Sequence, residues 1–443
     1  MKPQTRNTSR LRRAGIVLAA AVLALAGEAS AQIGGLGLPG GAPPIGAPPI
    51  GGLTGGLGGA LNGTLNQAQA ALSPERLLDL RALRLQALVR ANPVVLDVDD
   101  AGAPVVRSQI VALSPSAASL AIAQRAGFAT ASQTRLDEIG LEMVVLTAPE
   151  GLSTREAVRR LRRLDPAGAY DFNHLYEGAG APTATAAVSV AAAGEARAAG
   201  PIGMVDTAVD TTHPALAGAT IEQQAFAAGT SSAQTHGTAV ASLIAGRAGS
   251  FRGGAPGASL YVADIYGAGP TGGASDGVVR ALAWLSSRRV GVINMSLVGP
   301  ANLAVGAAVK ALSAKGIVIV AAVGNDGPAA PPMYPASYPE VVAVTAVDGR
   351  GRILPEAGRA RHLDFAAPGA DMAAAKPGGA FADVRGTSFA APIVTGLLAV
   401  ELAGAGRTRA SALEAVAGRA KRGPGYGRGL VGAEIRTALA ATR

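Results

Sequence analysis

Three side chains in this sequence have the types and placement that nucleophilic catalysis needs. Ser388 lies in Gly386-Thr387-Ser388-Phe389-Ala390-Ala391-Pro392, which opens an apolar helical run over residues 393–402. The start of a helix carries unpaired backbone N–H groups, and these hold negative charge. A hydroxyl there can be a nucleophile beside a site for an oxyanion, or it can be only an N-cap. Asp206 closes a short apolar stretch in Ile202-Gly203-Met204-Val205-Asp206-Thr207. His236 opens another apolar run in His236-Gly237-Thr238-Ala239-Val240-Ala241. A serine hydroxyl is a poor nucleophile until a base takes its proton, and the base must be oriented and stabilised when charged. A Ser, a His and an Asp at the ends of elements meet those needs. His174, His213 and His362 show no partner pattern and read as structural or exposed. Asp210 and Asp264 read as turn or local hydrogen-bonding groups.

The elements that must position these groups are legible from residue 201 onward. Residues 202–205, 260–265, 290–297, 317–323 and 341–347 are apolar nearly throughout, as strands covered on both faces should be. Helical stretches at 276–287 and 303–315 lie between them. Strands alternating with helices imply right-handed crossovers. The fold class expected is α/β, a doubly wound and mostly parallel sheet with helices on both faces. Ligand sites then fall at the carboxyl ends of strands, where Asp206 and Ser296 lie. Residues 408–420 and 432–441 read as further surface helices.

Taken together and in the order Asp, His, Ser, the three motifs resemble the subtilisin-like serine peptidases (peptidase family S8, the subtilases). Spacings of 30 residues from Asp206 to His236 and 152 from His236 to Ser388 suit that family. The resemblance covers residues 201–406. It extends to Gly254-Ala255-Pro256-Gly257-Ala258, Tyr334-Pro335-Ala336-Ser337-Tyr338-Pro339 and Phe365-Ala366-Ala367-Pro368-Gly369. It implies a serine endopeptidase with Asp206, His236 and Ser388 as catalytic triad. Ser296-Leu297-Val298-Gly299 resembles the strand that pairs with an extended peptide substrate. The segment Ala322-Val323-Gly324-Asn325 resembles the one carrying the oxyanion-hole asparagine, so Asn325 would donate to the tetrahedral intermediate beside the Ser388 N–H. By itself, Asn325 in Gly-Asn-Asp-Gly fits a turn as well. Met333 is expected to narrow the specificity pocket toward small or medium apolar side chains. The chain departs from the family at Ala208, where glycine is usual, and at Ala239, where a second histidine is usual. Neither removes a triad group. No cofactor is implied. The short stretch 247–253 has no Asn/Asp set resembling the family's strong calcium loop, and calcium elsewhere has no visible ligand pattern.

The rest of the chain reads as an export and maturation apparatus. Residues 1–31 carry a basic start, an apolar centre and Ala29-Ser30-Ala31, the pattern of a signal peptide cut near Ala31. The apolar centre is shorter than the roughly 20 residues of a membrane span. A stable transmembrane anchor is therefore not expected, and the mature chain would be extracellular, periplasmic or on the cell surface. Residues 32–70 are Gly/Pro-rich and lack the apolar content to offset ordering entropy, so a disordered spacer is expected. Residues 71–177 read as a small α+β unit, with helices near 72–91, 117–126 and 154–164 and strands near 93–98, 109–113 and 141–147. By position it is similar to the family's propeptides, which cover the active site. An independent binding domain is the alternative. Residues 178–200, rich in Ala, Gly and Thr, read as a linker and maturation site, and 201–443 as the peptidase domain.

Composition narrows the field. No cysteine is present, which excludes disulfides and thiol chemistry. The formal charge of +9 comes from scattered arginines without interleaved aromatics, so no nucleic-acid partner is expected. Polypeptide substrates and the chain's own N-terminal unit are the expected partners. The competing function is a catalytically inactive subtilisin-like module that binds peptides or partners.

Overall fold

The computed structural model describes residues 73–179, 181–186 and 199–442. The expected signal peptide and Gly/Pro spacer lie outside the described residues, as does most of the linker. Among the described residues no helix is long and apolar enough to cross a membrane.

The N-terminal part runs α1 (Pro74–Ala91), β1 (Leu96–Val98), β2 (Pro104–Leu113), α2 (Ala117–Arg125), β3 (Ala129–Leu136), β4 (Leu141–Thr147), α3 (Thr154–Leu164) and β5 (Tyr170–His174). The strands form an antiparallel sheet in the order β1-β2-β4-β3, with β5 also on β2. Helix α3 starts in a capping box, in which Ser153 and Glu156 satisfy each other's backbone N–H. One face of the sheet buries Ile110, Val144, Leu146 and Phe172 against Ala157, Val158 and Leu161 of α3. Strands β3 and β5 were not expected. β3 is polar and mostly exposed, and β5 (Tyr-Asp-Phe-Asn-His) mixes charge with aromatics, so neither shows an apolar alternation.

Two short strands follow, β6 (Glu177–Gly178) and β7 (Ala181–Ala186). The segment expected to be a linker therefore begins as paired strand. Its composition gave no sign of this, because the pairing is made by backbone groups. The larger part then runs β8 (Ile202–Asp206), β9 (Ile221–Ala225), α4 (Thr235–Ala245), the hairpin β10 (Arg247–Ala248) and β11 (Phe251–Arg252), β12 (Leu260–Asp264), α5 (Ser275–Ser287), β13 (Val292–Met295), β14 (Leu297–Val298), α6 (Leu303–Ala314), β15 (Val318–Ala322), β16 (Val341–Val347), β17 (Phe365–Pro368), β18 (Met372–Lys376), β19 (Ala380–Arg385), α7 (Thr387–Leu402) and α8 (Arg409–Gly418). The hairpin β10–β11 fills the place where the family resemblance would put a strong calcium loop, and it carries no carboxylate.

Seven of these strands make one parallel sheet, β17-β16-β15-β13-β8-β12-β9. Alternate residues serve opposite cores. Met204, Val262, Val292 and Val320 face α4 and α7, whereas Val205, Ala263, Ile293 and Ala321 face α5 and α6. This two-sided burial is why the strands read as continuous apolar runs. The expected doubly wound α/β sheet is what the structure shows. The edge strand β9 escaped the sequence because Ile-Glu-Gln-Gln-Ala leaves its side chains largely exposed. Residues 432–441, expected to be a helix, hold only two short 3-10 turns, Ala433–Ile435 and Leu439–Thr442. Gly432, with a left-handed φ of +68°, stands before the first turn, and Arg436 ends that turn by taking an extended ψ of 112°.

The N-terminal sheet is not separate from this core. Val111, Leu136, Ile139 and Met143 pack into the same cluster as Val278, Leu282 and Leu285 of α5 and Val305 of α6. A buried ion pair, Arg385 Nε to Glu356 Oε1 at 2.6 Å, ties the end of β19 to a loop whose Glu356 carbonyl accepts the Gly327 N–H. Glu356→Gln leaves the arginine uncompensated in the interior. We expect a loss of about 3–5 kcal/mol in unfolding free energy by chemical denaturation. An unchanged transition midpoint would show that the pair is dispensable.

Candidate active site

Asp206 stands at the carboxyl end of β8, in the middle of the parallel sheet, where strand ends open onto a cleft. Its side chain is almost fully buried. Oδ1 accepts hydrogen bonds from the Thr207 N–H at 2.7 Å and lies 2.7 Å from His236 Nδ1. His236 sits in the first turn of α4, and a close approach between α4 and the loop after β8 makes the contact reachable. Gly237 donates its N–H to Thr207 Oγ1 at 2.9 Å. A Cβ on Gly237 would lie 2.3 Å from the Thr207 carbonyl oxygen, so no larger residue fits. On its other side the His236 ring leans on Phe389, with centroids 5.7 Å apart. His236 Nε2 is buried without a hydrogen-bond partner. Tyr266 is half-buried nearby, with its hydroxyl out of reach of solvent. Burial, and then the charge of Asp206, push its phenol well above the ordinary value, so it stays neutral.

Ser388 is the second residue of α7 and is fully buried. Pro392, four residues on, has no N–H and so leaves the Ser388 carbonyl without a helical donor. The Ser296 hydroxyl takes that place at 2.8 Å. Asn294 Nδ2 donates to Ser296 Oγ, and Thr395 Oγ1 donates to Asn294 Oδ1, which completes a buried polar chain at the start of the helix. The Ser388 hydroxyl itself donates to the Ser296 carbonyl at 3.5 Å and is not bonded to His236.

The cleft is occupied by the chain's own residues 175–179. Leu175 and Tyr176 bridge to the Gly273–Ala274 backbone, with the Tyr176 N–H donating to the Gly273 carbonyl at 2.8 Å. Glu177 and Gly178 pair antiparallel with Val298 and Leu297. The Ala179 N–H donates to the Ser296 carbonyl at 3.1 Å. The Ala179 carbonyl then accepts the Ser388 N–H at 3.2 Å and a side-chain N–H of Asn325. Asn325 is held in turn through Oδ1, which accepts the Thr387 N–H at 2.9 Å. Gly178 faces the His236 ring, whose nearest atom would be 3.7 Å from a Cβ there. Beyond residue 180, β7 pairs antiparallel with β19.

Most of the expected site residues thus converge. Asp206 and His236 are bonded to each other, Ser296, Leu297 and Val298 line the peptide, and Ser388 and Asn325 meet at one carbonyl. Gly299 lies under the Tyr176 ring, 2.6 Å from where its own Cβ would be, so this position must be glycine for an aromatic ring to enter. Tyr176 is buried, and its hydroxyl donates to the Pro300 carbonyl at 3.0 Å. Ala322 and Val323 are buried at the end of β15, and Gly324 donates its N–H to Thr387 Oγ1 at 3.1 Å. Met333 is buried beside Gly324. Sequence reading missed Gly273 and Ala274 as the second edge of the cleft. The pair Gly272-Gly273 ahead of α5 was the available signal. The other histidines are structural. His174 lies 3.1 Å from Asp99, His213 pairs with the Ala380 carbonyl and His362 with the Val341 carbonyl. Asp210 and Asp264 accept hydrogen bonds within their own turns.

Residues 200–421 match the sequence pattern of the Subtilase family. The chain belongs to that family. Subtilisin E of Bacillus subtilis is 34% identical over 213 residues, which covers 45% of this chain and 55% of that protein. The subtilisin of Bacillus pumilus is 33% identical, and its match covers 76% of its length. The chain thus spans about half the length of Subtilisin E. Among solved structures, fervidolysin of Fervidobacterium pennivorans, a keratinolytic enzyme related to subtilisin, superposes with a TM-score of 0.63 over 76% of this chain and 62% of its own, at 22% identity. That likeness is one of fold, and it agrees with the subtilase architecture found here.

The tight passage at Gly237 gives a direct test. In Gly237→Ala the added methyl forces α4 away from Thr207, and we expect a stability loss of about 1–3 kcal/mol. The downfield proton resonance of a His236 Nδ1–H bonded to Asp206 should disappear. A variant that keeps both its stability and this resonance would show that the approach is not tight.

Proposed function

We propose that this subtilase is an exported serine endopeptidase, made as a zymogen, whose first substrate is its own Ala179–Gly180 bond. The observation that carries this reading is the seat of the Ala179 carbonyl between the Ser388 N–H and Asn325. Two donors converging on one carbonyl oxygen are what the oxyanion of an acyl transfer requires. The antiparallel pairing of residues 177–178 with β14 supports the same register, because extended peptides bind proteases as an added strand. The signal-like residues 1–31 support export.

In the reaction, a rotation about the Ser388 side chain turns its hydroxyl from the Ser296 carbonyl to His236 Nε2. His236 takes the proton while Ser388 Oγ attacks the Ala179 carbonyl carbon. The carbonyl electrons move to the oxygen, which the Ser388 N–H and Asn325 Nδ2 hold. Asp206 keeps the imidazole oriented and stabilises its charged form. The intermediate collapses, the bond from Ala179 C to Gly180 N breaks, and His236 gives its proton to the departing amine. Water, deprotonated by His236, then hydrolyses the Ser388–Ala179 ester. This leaves a carboxylate at Ala179 and restores the serine.

The same segment supports a substrate class: an extended polypeptide with a small residue before the cut, glycine one position earlier and a large aromatic residue three positions before the small one. An observation favours a second reading. The Ser388 hydroxyl is turned away from His236, as it would stay in a peptide-binding module without activity.

Intact-mass analysis of the full chain after a fluorophosphonate, beside Ser388→Ala, separates the two. The expected result is an adduct on Ser388 and a cut after Ala179 in the wild type only. A folded wild type with neither would favour the binding module. Asn325→Ala should lower turnover roughly 100- to 1,000-fold, the usual cost of one oxyanion donor, with KM little changed. On peptides ending in Tyr-Glu-Gly-Ala before the cut, replacing the tyrosine with alanine should lower kcat/KM at least about tenfold, given the size of the buried ring. Cleavage dominated by basic or bulky aromatic residues at the cut itself would refute the proposed substrate class.

A further inference from the structure

The oxyanion loop is gripped from outside the cleft by helix α1, which takes no part in the N-terminal sheet. Three residues on one face of α1 reach it. Leu77, only 2% exposed, packs over Gly327, with Cδ1 2.9 Å from where a Cβ would stand. Arg81 Nε lies 3.1 Å from Asp326 Oδ2, and Arg84 Nη2 lies 3.2 Å from Asp326 Oδ1. Both carboxylate oxygens of Asp326 are therefore engaged, and its side chain is 6% exposed. The same Arg84 nitrogen donates to Glu177 Oε2 at 3.0 Å. Glu177 is the stronger of its two charge partners in holding the guanidinium protonated. The spacings of four and three residues put Leu77, Arg81 and Arg84 on a single helical stripe. At its other end α1 rests Leu88 and Val89 on Leu96, Val106 and Leu175, where the peptide enters the cleft.

We propose that α1 is an arginine clasp that holds the N-terminal unit on the active site, so that loss of the clasp and not the cut alone releases activity. The surface it docks on, Asp326 and Gly327 beside Asn325, has α1 as its partner. This rests on the self-cleavage reading for its consequence, but its physical content does not. Arg84 ties the enzyme's loop and the peptide's third residue before the cut to one guanidinium. Breaking the Ala179–Gly180 bond touches none of these contacts. The charge-assisted hydrogen bond from Arg84, beside the Arg81 ion pair, meets a nearly buried carboxylate, where such a bond is stronger than an ordinary surface pair. Removing Arg81 and Arg84 also leaves that carboxylate without its counter-charges.

The first test needs no catalysis. Hydrogen exchange is measured on the full chain carrying Ser388→Ala, with and without Arg81→Gln and Arg84→Gln together. Exchange of α1 and of the Tyr176 and Ala179 amides should speed at least tenfold, while β2 and β4 stay as protected as before. Glu177→Gln, which spares Asp326, should loosen the Tyr176 and Ala179 amides and leave the N-terminal turns of α1 unchanged. Unchanged exchange at these amides in the double variant would overturn the clasp. In the catalytically intact chain, the double variant should still be cut after Ala179. It should lose its N-terminal fragment on gel filtration and shorten the lag before peptide hydrolysis at least tenfold. A cut double variant that retains its fragment with the wild-type lag would also overturn the clasp. Absence of any cut in the wild type would sink the self-cleavage reading, and the exchange result would still decide the clasp.

Discussion

Two N–H groups, one from the Ser388 backbone and one from the Asn325 side chain, converge on a single carbonyl oxygen, and much of the molecule serves to hold them there. A peptide carbonyl in a buried cleft needs partners, and donors fixed in advance stabilise growing negative charge without reorganising. Each donor is secured by a separate device. Ser388 is fixed by α7, a helix buried on nearly every side. Its carbonyl, freed by Pro392, is tied down by Ser296. Asn325 is fixed by the Thr387 N–H on its oxygen, so the residue before the serine orients the second donor. Thr387 also accepts the Gly324 N–H, which couples the two donor-bearing segments through one side chain.

The cleft is a gap between two backbone edges, Gly273–Ala274 on one side and Ser296–Val298 on the other. The chain fills it with residues 175–179. Backbone pairing supplies the register, and the side chains discriminate. A large ring fits at Tyr176 because Gly299 has none, and a glycine lies against His236. The N-terminal sheet holds this segment in place by packing its second face onto α5 and α6, the helices that also back the parallel sheet. One apolar cluster therefore contains residues from both parts, and ordering of the N-terminal unit and burial of α5 and α6 contribute to the same free energy.

Charge has a local role around this apolar frame. The net charge of +9 is spread over scattered arginines, several of which stand against single buried or half-buried carboxylates: Arg385 on Glu356, and Arg81 with Arg84 on Asp326. Such pairs add little when exposed, but a carboxylate left alone in the interior is costly. Placed behind the loop that carries Asn325, they brace it from two directions, β19 and α1.

The amino-acid sequence by itself determined the parallel sheet, because strands covered on both faces must be apolar throughout and helix-forming stretches separated them. It also singled out Asp206, His236 and Ser388, since each is a chemically specific side chain at the end of an element, and the resemblance of their motifs to subtilases added Asn325, which by itself reads as a turn residue. It marked neither β3, β5 nor β9, whose polar exposed or mixed side chains show no period. It misread residues 432–441 as helix and the start of 178–200 as mere linker. Only the tertiary structure decided that residues 175–179 lie in the cleft with the Ala179 carbonyl on the Ser388 and Asn325 N–H groups, and that α1 grips Asp326. The physical reason is that backbone hydrogen bonds and an arginine's reach leave almost no trace in residue type. Gly178 and Ala179 pair through N–H and C=O groups that every residue but proline carries, and Arg84 meets Asp326 across 242 positions of chain that only folding brings together.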